Sequence, residues 1–222
     1  MERIPEPELM LDPEQVRAYA HADFDEPHDR FIGLLVEKLA ELPAQGVALD
    51  LGCGAGDISR RFARALAGWR VDGLDGSPAM LAIAREMTID AGLDARIEYH
   101  EVRLPAPPSE DGGYELIFSN SLLHHLADPG VFWSTIRDWS EALGTVFVMD
   151  LLRPPSRERV TELVRRYADS EPEILRTDFH NSLLAAFEIG EVEAQLEQAD
   201  LEHLQVEVVS DRHFIVWGAA GA

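Results

Sequence analysis

The sequence predicts an α/β fold, a doubly wound and mostly parallel sheet of seven strands that ends in an antiparallel pair. Three observations predict it. Short β-rich runs alternate with segments of helical period, the pattern of a parallel sheet covered by helices on both faces. The first such run, 47–51, passes directly into glycines at alternate positions, Gly52, Gly54 and Gly56, and then into a helical segment. The chain closes with two alternating runs, 204–209 and 212–217, separated by a few residues that include Ser210-Asp211, which reads as an antiparallel pair. Residues 1–222 read as one domain, in which 1–45 form a helical cap ahead of the first strand.

Taken in order, Val16, Tyr19 and Phe24 mark a first helix and Ile32, Leu35, Val36 and Leu39 a second. The parallel strands are read at 47–51, 70–74, 96–99, 114–119 and 145–149. Between them, Ile58, Phe62 and Leu66 recur at helical spacing. Ser77-Pro78 supplies an N-cap followed by proline at the first helical position, and Asp128-Pro129 does the same for a helix carrying Phe132, Ile136 and Trp139. Beyond the fifth strand, Val160, Leu163, Val164 and Tyr167 mark one helix and Val192, Leu196 and Ala199 another.

Charge narrows the function. The 19 Lys and Arg stand against 41 Asp and Glu, a formal charge of −22, and the sequence pI is near 4.6. Affinity for a phosphate backbone comes mostly from Lys and Arg displacing counterions, so no nucleic-acid partner is expected. Lys38 is the only lysine. Cys53 is the only cysteine, which excludes an intramolecular disulfide, a CxxC redox pair and a Cys-rich zinc site. No apolar run approaches the length needed to cross a bilayer, and the acidic start MERIPEPELM lacks the apolar core of a secretory signal. A cytoplasmic protein with no membrane partner is expected.

The glycine-rich stretch is the most informative part of the chain. Glycine there lets backbone approach a ligand and adopt positive φ where a side chain would clash. Asp75 ends the next strand at the distance where a βαβ unit sets an acid against ribose hydroxyls, which together indicates an adenosine-containing ligand. The run Ala48-Leu-Asp-Leu-Gly-Cys-Gly-Ala-Gly56 resembles the first motif of the class I S-adenosylmethionine-dependent methyltransferases. Asp50, just before the glycines, belongs to that resemblance. An acid there suits a ligand carrying an ammonium and a sulfonium better than a nicotinamide pyrophosphate. The resemblance is strongest over 47–150 and implies a Rossmann-like fold and S-adenosyl-L-methionine as cofactor.

Residue by residue, it implies that Gly52, Gly54 and Gly56 form the loop and that Asp75, in Gly73-Leu-Asp75-Gly-Ser-Pro-Ala-Met80, holds the ribose. Met80 fits two roles, adenine cover or ordinary helix core. In His100-Glu101-Val102-Arg103-Leu104-Pro105, Glu101 would accept from the adenine amine and the Val102 backbone would read a ring nitrogen. Ser119-Asn120-Ser121 falls on the loop that faces sulfonium and substrate, which places Asn120 at the cofactor. The family's usual Lys-Pro-Gly-Gly turn before the fifth strand is replaced by Glu141-Ala-Leu-Gly144, an altered loop.

Methyl transfer needs little from the protein beyond positioning, because the electrophile is already activated. His124 and His125 are candidate general bases for an alcohol, phenol or enolisable carbon, with loop packing or capping as the other reading of each. Tyr19 matches a tyrosine-bearing helix that many small-molecule members fold over the cofactor, or packs simply within its helix. Arg153 and Asn181 are expected at the acceptor. Arg153 would orient an anionic group, or only offset nearby acids. Neighbouring side chains rarely coordinate one ion together, and with no H-x-x-x-H pair or carboxylate at helical spacing no metal is expected at the adjacent histidines. Cys53 has nothing basic beside it and is not expected to be a nucleophile, and His213 reads as structural. The expected partners are a small-molecule acceptor and at most a second copy of the chain. A catalytically silent, cofactor-binding regulatory subunit shares every one of these motifs. An NAD-dependent oxidoreductase does not, for the chain lacks a Tyr-x-x-x-Lys pair.

Overall fold

The structure is a computed structural model that describes residues 1–6, 12–107 and 113–221. Seven strands form one sheet: β1 (Gly46–Leu51), β2 (Trp69–Asp75), β3 (Ile97–Glu101), β4 (Tyr114–Asn120), β5 (Ser140–Leu151), β6 (Gln205–Val208) and β7 (His213–Ala219). Their order across the sheet is β3-β2-β1-β4-β5-β7-β6. The first five are parallel, and β7 inserts antiparallel between β5 and β6. The direction of winding reverses between β1 and β4, so a crevice opens at the carboxyl ends of these two strands, the place where open α/β sheets bind ligands.

Eight α-helices complete the described fold: α1 (Pro13–Ala20), α2 (Asp25–Lys38), α3 (Asp57–Ala65), α4 (Pro78–Asp90), α5 (Pro129–Trp139), α6 (Arg157–Ala168), α7 (Glu173–Ala185) and α8 (Ile189–Gln198). Among the described residues, no helix is long and apolar enough to cross a membrane. The strand side chains alternate between two cores. Leu116 and Phe118 of β4, with Phe147 and Met149 of β5, pack with Phe31 of α2 and Phe62 of α3. Ile117, Val146 and Val148 face the other way, onto Phe132, Trp133 and Ile136 of α5 and Val192 and Leu196 of α8. A strand buried on both faces reads as a continuous apolar run, as 116–118 and 146–149 do.

The structure differs from the sequence reading at three places. The helix read through Val16, Tyr19 and Phe24 stops at Ala20, where the His21 amide caps the Arg17 and Tyr19 carbonyls, and α2 begins afresh at Asp25. Helix α7 was not foreseen, although Leu175, Phe179 and Leu183 recur at its spacing. The stretch 141–144, expected as a loop, lies within β5. There the register jumps from Tyr114↔Ser140 to Leu116↔Thr145, so the extra residues bulge outward and Leu143 is 94% exposed. The bulge lies at the amino end of β5, away from the crevice.

Phe118 is fully buried, with its ring 4.8 Å from that of Phe62 and 6.1 Å from that of Phe31. Phe118→Ala should therefore lower the unfolding free energy by about 3–5 kcal/mol, the range for deleting a buried aromatic ring. Urea unfolding checks this through a lower midpoint at unchanged slope.

Candidate active site

The loop from β1 into α3 is built on glycines with φ of +79°, +51° and +75° at Gly52, Gly54 and Gly56. Gly56 and Gly54 answer to different demands. A Cβ on Gly56 would stand 2.2 Å from the Tyr99 hydroxyl, so glycine there is a packing requirement. A Cβ on Gly54 would meet nothing within 4 Å among the described residues, so that side of the loop is open and glycine answers there to the left-handed φ. The amides of Gly52 and Cys53 donate to the Leu74 carbonyl at 2.8 and 2.9 Å and dock the loop against the end of β2. Asp75 completes the junction: its two carboxylate oxygens accept from the Gly54 amide at 2.9 Å and the Ser77 amide at 2.7 Å. Burial pushes the Asp75 carboxyl above its usual range, and these backbone donors oppose the shift.

The open side of the loop faces a cavity of about 230 Å³ at the carboxyl ends of β1, β2 and β4. Gly52, Gly54, Asp75, Gly76 and Ser77 form one part of the wall, and Met80, Val102, Arg103 and Leu104 another. Asn120, Ser121, Leu122, His125 and Leu126 follow from the end of β4, and Tyr19 of α1 adds to the lining. Burial raises the Tyr19 phenol to about 12, so it stays protonated at neutral pH. The Asn120 Oδ1 is buried and has no hydrogen-bond partner among the described residues, and Ser121 beside it adopts a φ of +58°. A buried amide oxygen left unpaired is costly, so this acceptor awaits a donor. The cavity thus combines two hydrogen-bond acceptors, Asp75 and Asn120, with an apolar wall of Met80, Val102, Leu104 and Leu126. It suits a ligand with hydroxyl or ammonium donors and a flat apolar part, the chemical make-up of S-adenosyl-L-methionine.

Of the residues read from the sequence, Gly52, Gly54, Asp75, Met80, Val102, Asn120, Tyr19 and His125 come together at this cavity. Met80 fills both of its candidate roles, lining the cavity while packing with Val16 and Ala55. Other residues need correction. Asp50 is turned away from the cavity, its carboxyl accepting from Ser59 Oγ at 2.5 Å, and burial raises it to about 7. Gly56 serves the turn behind the wall. Glu101 is exposed at the end of β3 and does not line the cavity. The Val102 amide is already donated to the Asp75 carbonyl at 3.0 Å, so it cannot read a ring nitrogen. Arg153 is buried away from the cavity, with Nη2 3.0 Å from Glu188 Oε1 and 2.9 Å from Glu191 Oε1. Asn181 is exposed on α7, 3.5 Å from the His180 ring. His213 is buried, and burial drives its imidazole down to about 3, which keeps it neutral and structural. Cys53 is also buried, with its thiol pushed well up.

His124 lies behind the wall. Its Nδ1 is 2.5 Å from Asp150 Oδ1, and Asp150 Oδ2 accepts the Leu123 amide at 2.8 Å. That carboxylate raises the buried imidazole against the opposing effect of burial. Glu6, from the start of the chain, stands beside both histidines, its Oε1 3.5 Å from His124 Nε2 and 3.2 Å from His125 Nδ1. Sequence reasoning missed Glu6 and Asp150, together with Arg103 and Leu104 of the wall. Arg103-Leu104 lay inside a motif already quoted, whereas Glu6 gives no local signal.

Known proteins share this architecture. Residues 48–144 match the family model described as a methyltransferase domain. The chain is 31% identical over 103 residues to the dimethylglycine N-methyltransferase of Parasynechococcus marenigrum, covering 45% of this chain and 35% of that protein. It is 32% identical over 118 residues to a ubiquinone biosynthesis O-methyltransferase of Methylocella silvestris, covering 53% and 44%. The chain thus spans less than half the length of either relative. The crystal structure of an S-adenosylmethionine-dependent methyltransferase from Aquifex aeolicus superposes with a TM-score of 0.66 at 18% identity, covering 95% of this chain and all of that one. Over residues 48–144 the chain is thus similar to methyltransferase domains, and its fold is one that the Aquifex aeolicus methyltransferase shares.

Two outcomes follow from the buried charges. The Asp50 carboxyl titrates near 3.9 in an unfolded chain and at about 7 in the fold. Between those values the folded state holds a proton that the unfolded state has lost, so stability falls as pH rises through the window. Relative to Asp50→Asn, the protein should lose stability from about pH 4 to about pH 7 and then level off; urea midpoints that run parallel across this range would refute the assignment. Arg153→Ala should lower stability by about 1–3 kcal/mol, since Glu188 and Glu191 are partly solvated and lose less than a fully buried pair. Thermal melts should register that loss while cofactor affinity stays within about threefold, under about 0.7 kcal/mol.

Proposed function

We propose that this protein binds S-adenosyl-L-methionine in the glycine-loop cavity and transfers its methyl group to a small-molecule acceptor. The observation that carries the reading is the pairing in one cavity of the Asp75 carboxylate, held by two amides, with the unpartnered Asn120 Oδ1. When bound, the cofactor supplies a methyl group on positively charged sulfur, which an acceptor lone pair takes in one in-line displacement that leaves S-adenosylhomocysteine.

In this reading Asp75 accepts from the ribose hydroxyls, Asn120 accepts from a donor of the methionine end, and the bare Gly54 backbone lets the ligand approach. Met80, Val102 and Leu104 cover the adenine. His125 and Tyr19 stand at the acceptor side, the two former candidates for chemistry that reach the wall. Residues 1–45 act as the cap: α1 packs on α4 through Val16 and Tyr19, and Gln15 Nε2 donates to Asp178 of α7 at 2.9 Å. A closed cap excludes water and fixes the approach of the acceptor, which is where most of the rate arises when the electrophile is preactivated. A cavity roofed in this way favours a small acceptor, and relatives named for dimethylglycine and for ubiquinone biosynthesis agree with that class. The net charge of −22 argues against a nucleic-acid acceptor.

S-adenosylhomocysteine at a hundredfold excess over its Kd should stabilise the protein by about 2.7 kcal/mol in a thermal-shift assay, and NAD should not. Gly54→Val should fold with a loss of about 1–2 kcal/mol from its left-handed backbone and lose the shift. Asp75→Ala should weaken binding by about 1.5–3 kcal/mol. Incubation with S-adenosyl-L-methionine and a fractionated metabolite pool should yield S-adenosylhomocysteine and an acceptor heavier by one methylene; binding without product would identify a silent subunit instead.

A further inference from the structure

The fold brings three ligand-type side chains to one point beside the cavity. Residues 1–6 run along α7, where the Ile4 amide donates to the Leu184 carbonyl at 2.9 Å and Ser182 Oγ donates to Glu6 Oε1 at 3.0 Å. This carries Glu6 to the short 3₁₀ turn Leu123–His125 that follows β4. Adjacent residues usually point apart, but on this turn the rings of His124 and His125 lie with centroids 4.2 Å apart and planes at 34°. Arg3 Nη2 donates to the carbonyls of His124 and Leu126 at 2.9 and 3.1 Å and pins the turn.

The spacing suits a metal centre, one ligand atom of each residue lying within 4.8 Å of the other two. A tetrahedral ion with His nitrogen and carboxylate oxygen at about 2.0–2.2 Å has neighbouring ligand atoms about 3.3–3.5 Å apart. Glu6 Oε1 lies 3.5 Å from His124 Nε2 and 3.2 Å from His125 Nδ1, two edges of such a figure. The tautomer also fits, since an Nδ1–H of His124 donated to Asp150 at 2.5 Å leaves the Nε2 lone pair facing Glu6. Asp150 is itself fixed by the amides of Leu123 and Leu151 at 2.8 and 2.7 Å. A carboxylate that orients a ligating histidine from behind is the usual outer support of a zinc site. His125 lines the cavity, which brings the cluster to the edge of the candidate acceptor side, and three protein ligands leave a zinc-type ion one further coordination position.

We propose that Glu6, His124 and His125 hold one divalent transition-metal ion of the zinc type. This reverses the expectation of no metal, which considered only carboxylates near the histidines in sequence, whereas Glu6 comes from the start of the chain. Metal binding stands by itself; its use rests on the methyl-transfer reading. There the ion would bind the acceptor's hydroxyl oxygen, and the O–H bond would break with its proton passing to solvent water before the cap closes. The oxygen then forms the O–CH₃ bond as the C–S bond breaks and its electron pair stays on sulfur. His125 in this arrangement acts on the acceptor through the ion.

The test uses tag-free protein stripped with a chelator and titrated with Co²⁺, followed by Zn²⁺. One equivalent of Co²⁺ should produce visible d–d absorption bands, and one equivalent of Zn²⁺ should abolish them. Glu6→Gln and His125→Ala should each weaken Co²⁺ binding by at least tenfold. Glu6→Gln, whose side chain is outside the cavity wall, should keep the thermal shift with S-adenosylhomocysteine, which shows that it folds. Absence of stoichiometric bands, or affinity unchanged in both variants, overturns the metal site while leaving the cofactor reading intact. Co²⁺ binding in protein that shows no shift with S-adenosylhomocysteine supports the metal site and overturns the cofactor reading.

Discussion

The Asp75 carboxylate, clamped between the Gly54 and Ser77 amides, is the interaction on which the site depends. Each oxygen serves a different loop, one leading into α3 and the other into α4. A buried carboxylate needs donors, so neither loop can drift without leaving charge unpaired. The Gly52 and Cys53 amides on the Leu74 carbonyl brace the same junction from below. The cavity floor is therefore rigid where a ligand would meet it, and the glycine that faces the open side has no side chain to give up.

A second constraint acts on the opposite wall. Asp150, at the end of β5, is buried and draws the Leu123 and Leu151 amides and the His124 ring onto itself. The imidazole beside it holds its carboxyl below the usual range in spite of burial. The two carboxylates thus organise the two halves of the crevice in the same way, each at a strand end and each spending its lone pairs on backbone amides. What differs is the remainder: Asp75 faces the cavity directly, whereas Asp150 reaches it only through the histidine turn.

The acidic surface bears on the cap. Arg61 of α3 is paired with Asp25 and Asp29 of α2 and with Asp57 on its own helix, and His28 Nδ1 lies 2.7 Å from Asp57 Oδ2. Burial would raise the Asp57 carboxyl, and these partners outweigh it and keep the carboxyl ionised to low pH. This network holds α2 against the start of α3, beside the glycine loop. In a chain with 41 acidic and 19 basic residues, Arg61 and Arg153 are each committed to a particular junction, and Arg153 binds acids at the start of α8.

The sequence by itself determined the sheet, its winding, the antiparallel tail and the meeting of Gly52, Gly54 and Asp75 at the candidate cavity. Those features are local: alternation sets a strand face, glycine at positive φ sets a turn, and Asp75 follows the first strand by one βαβ unit. The tertiary structure decided the rest, because burial and partnership are properties of neighbours distant in sequence. Asp50 is spent on Ser59, and the Val102 amide on the Asp75 carbonyl; Arg153 is spent on Glu188 and Glu191. No spacing along the chain announces any of these pairings. Glu6 beside His124 and His125 is the extreme instance, a contact made only when the first residues lie down along α7.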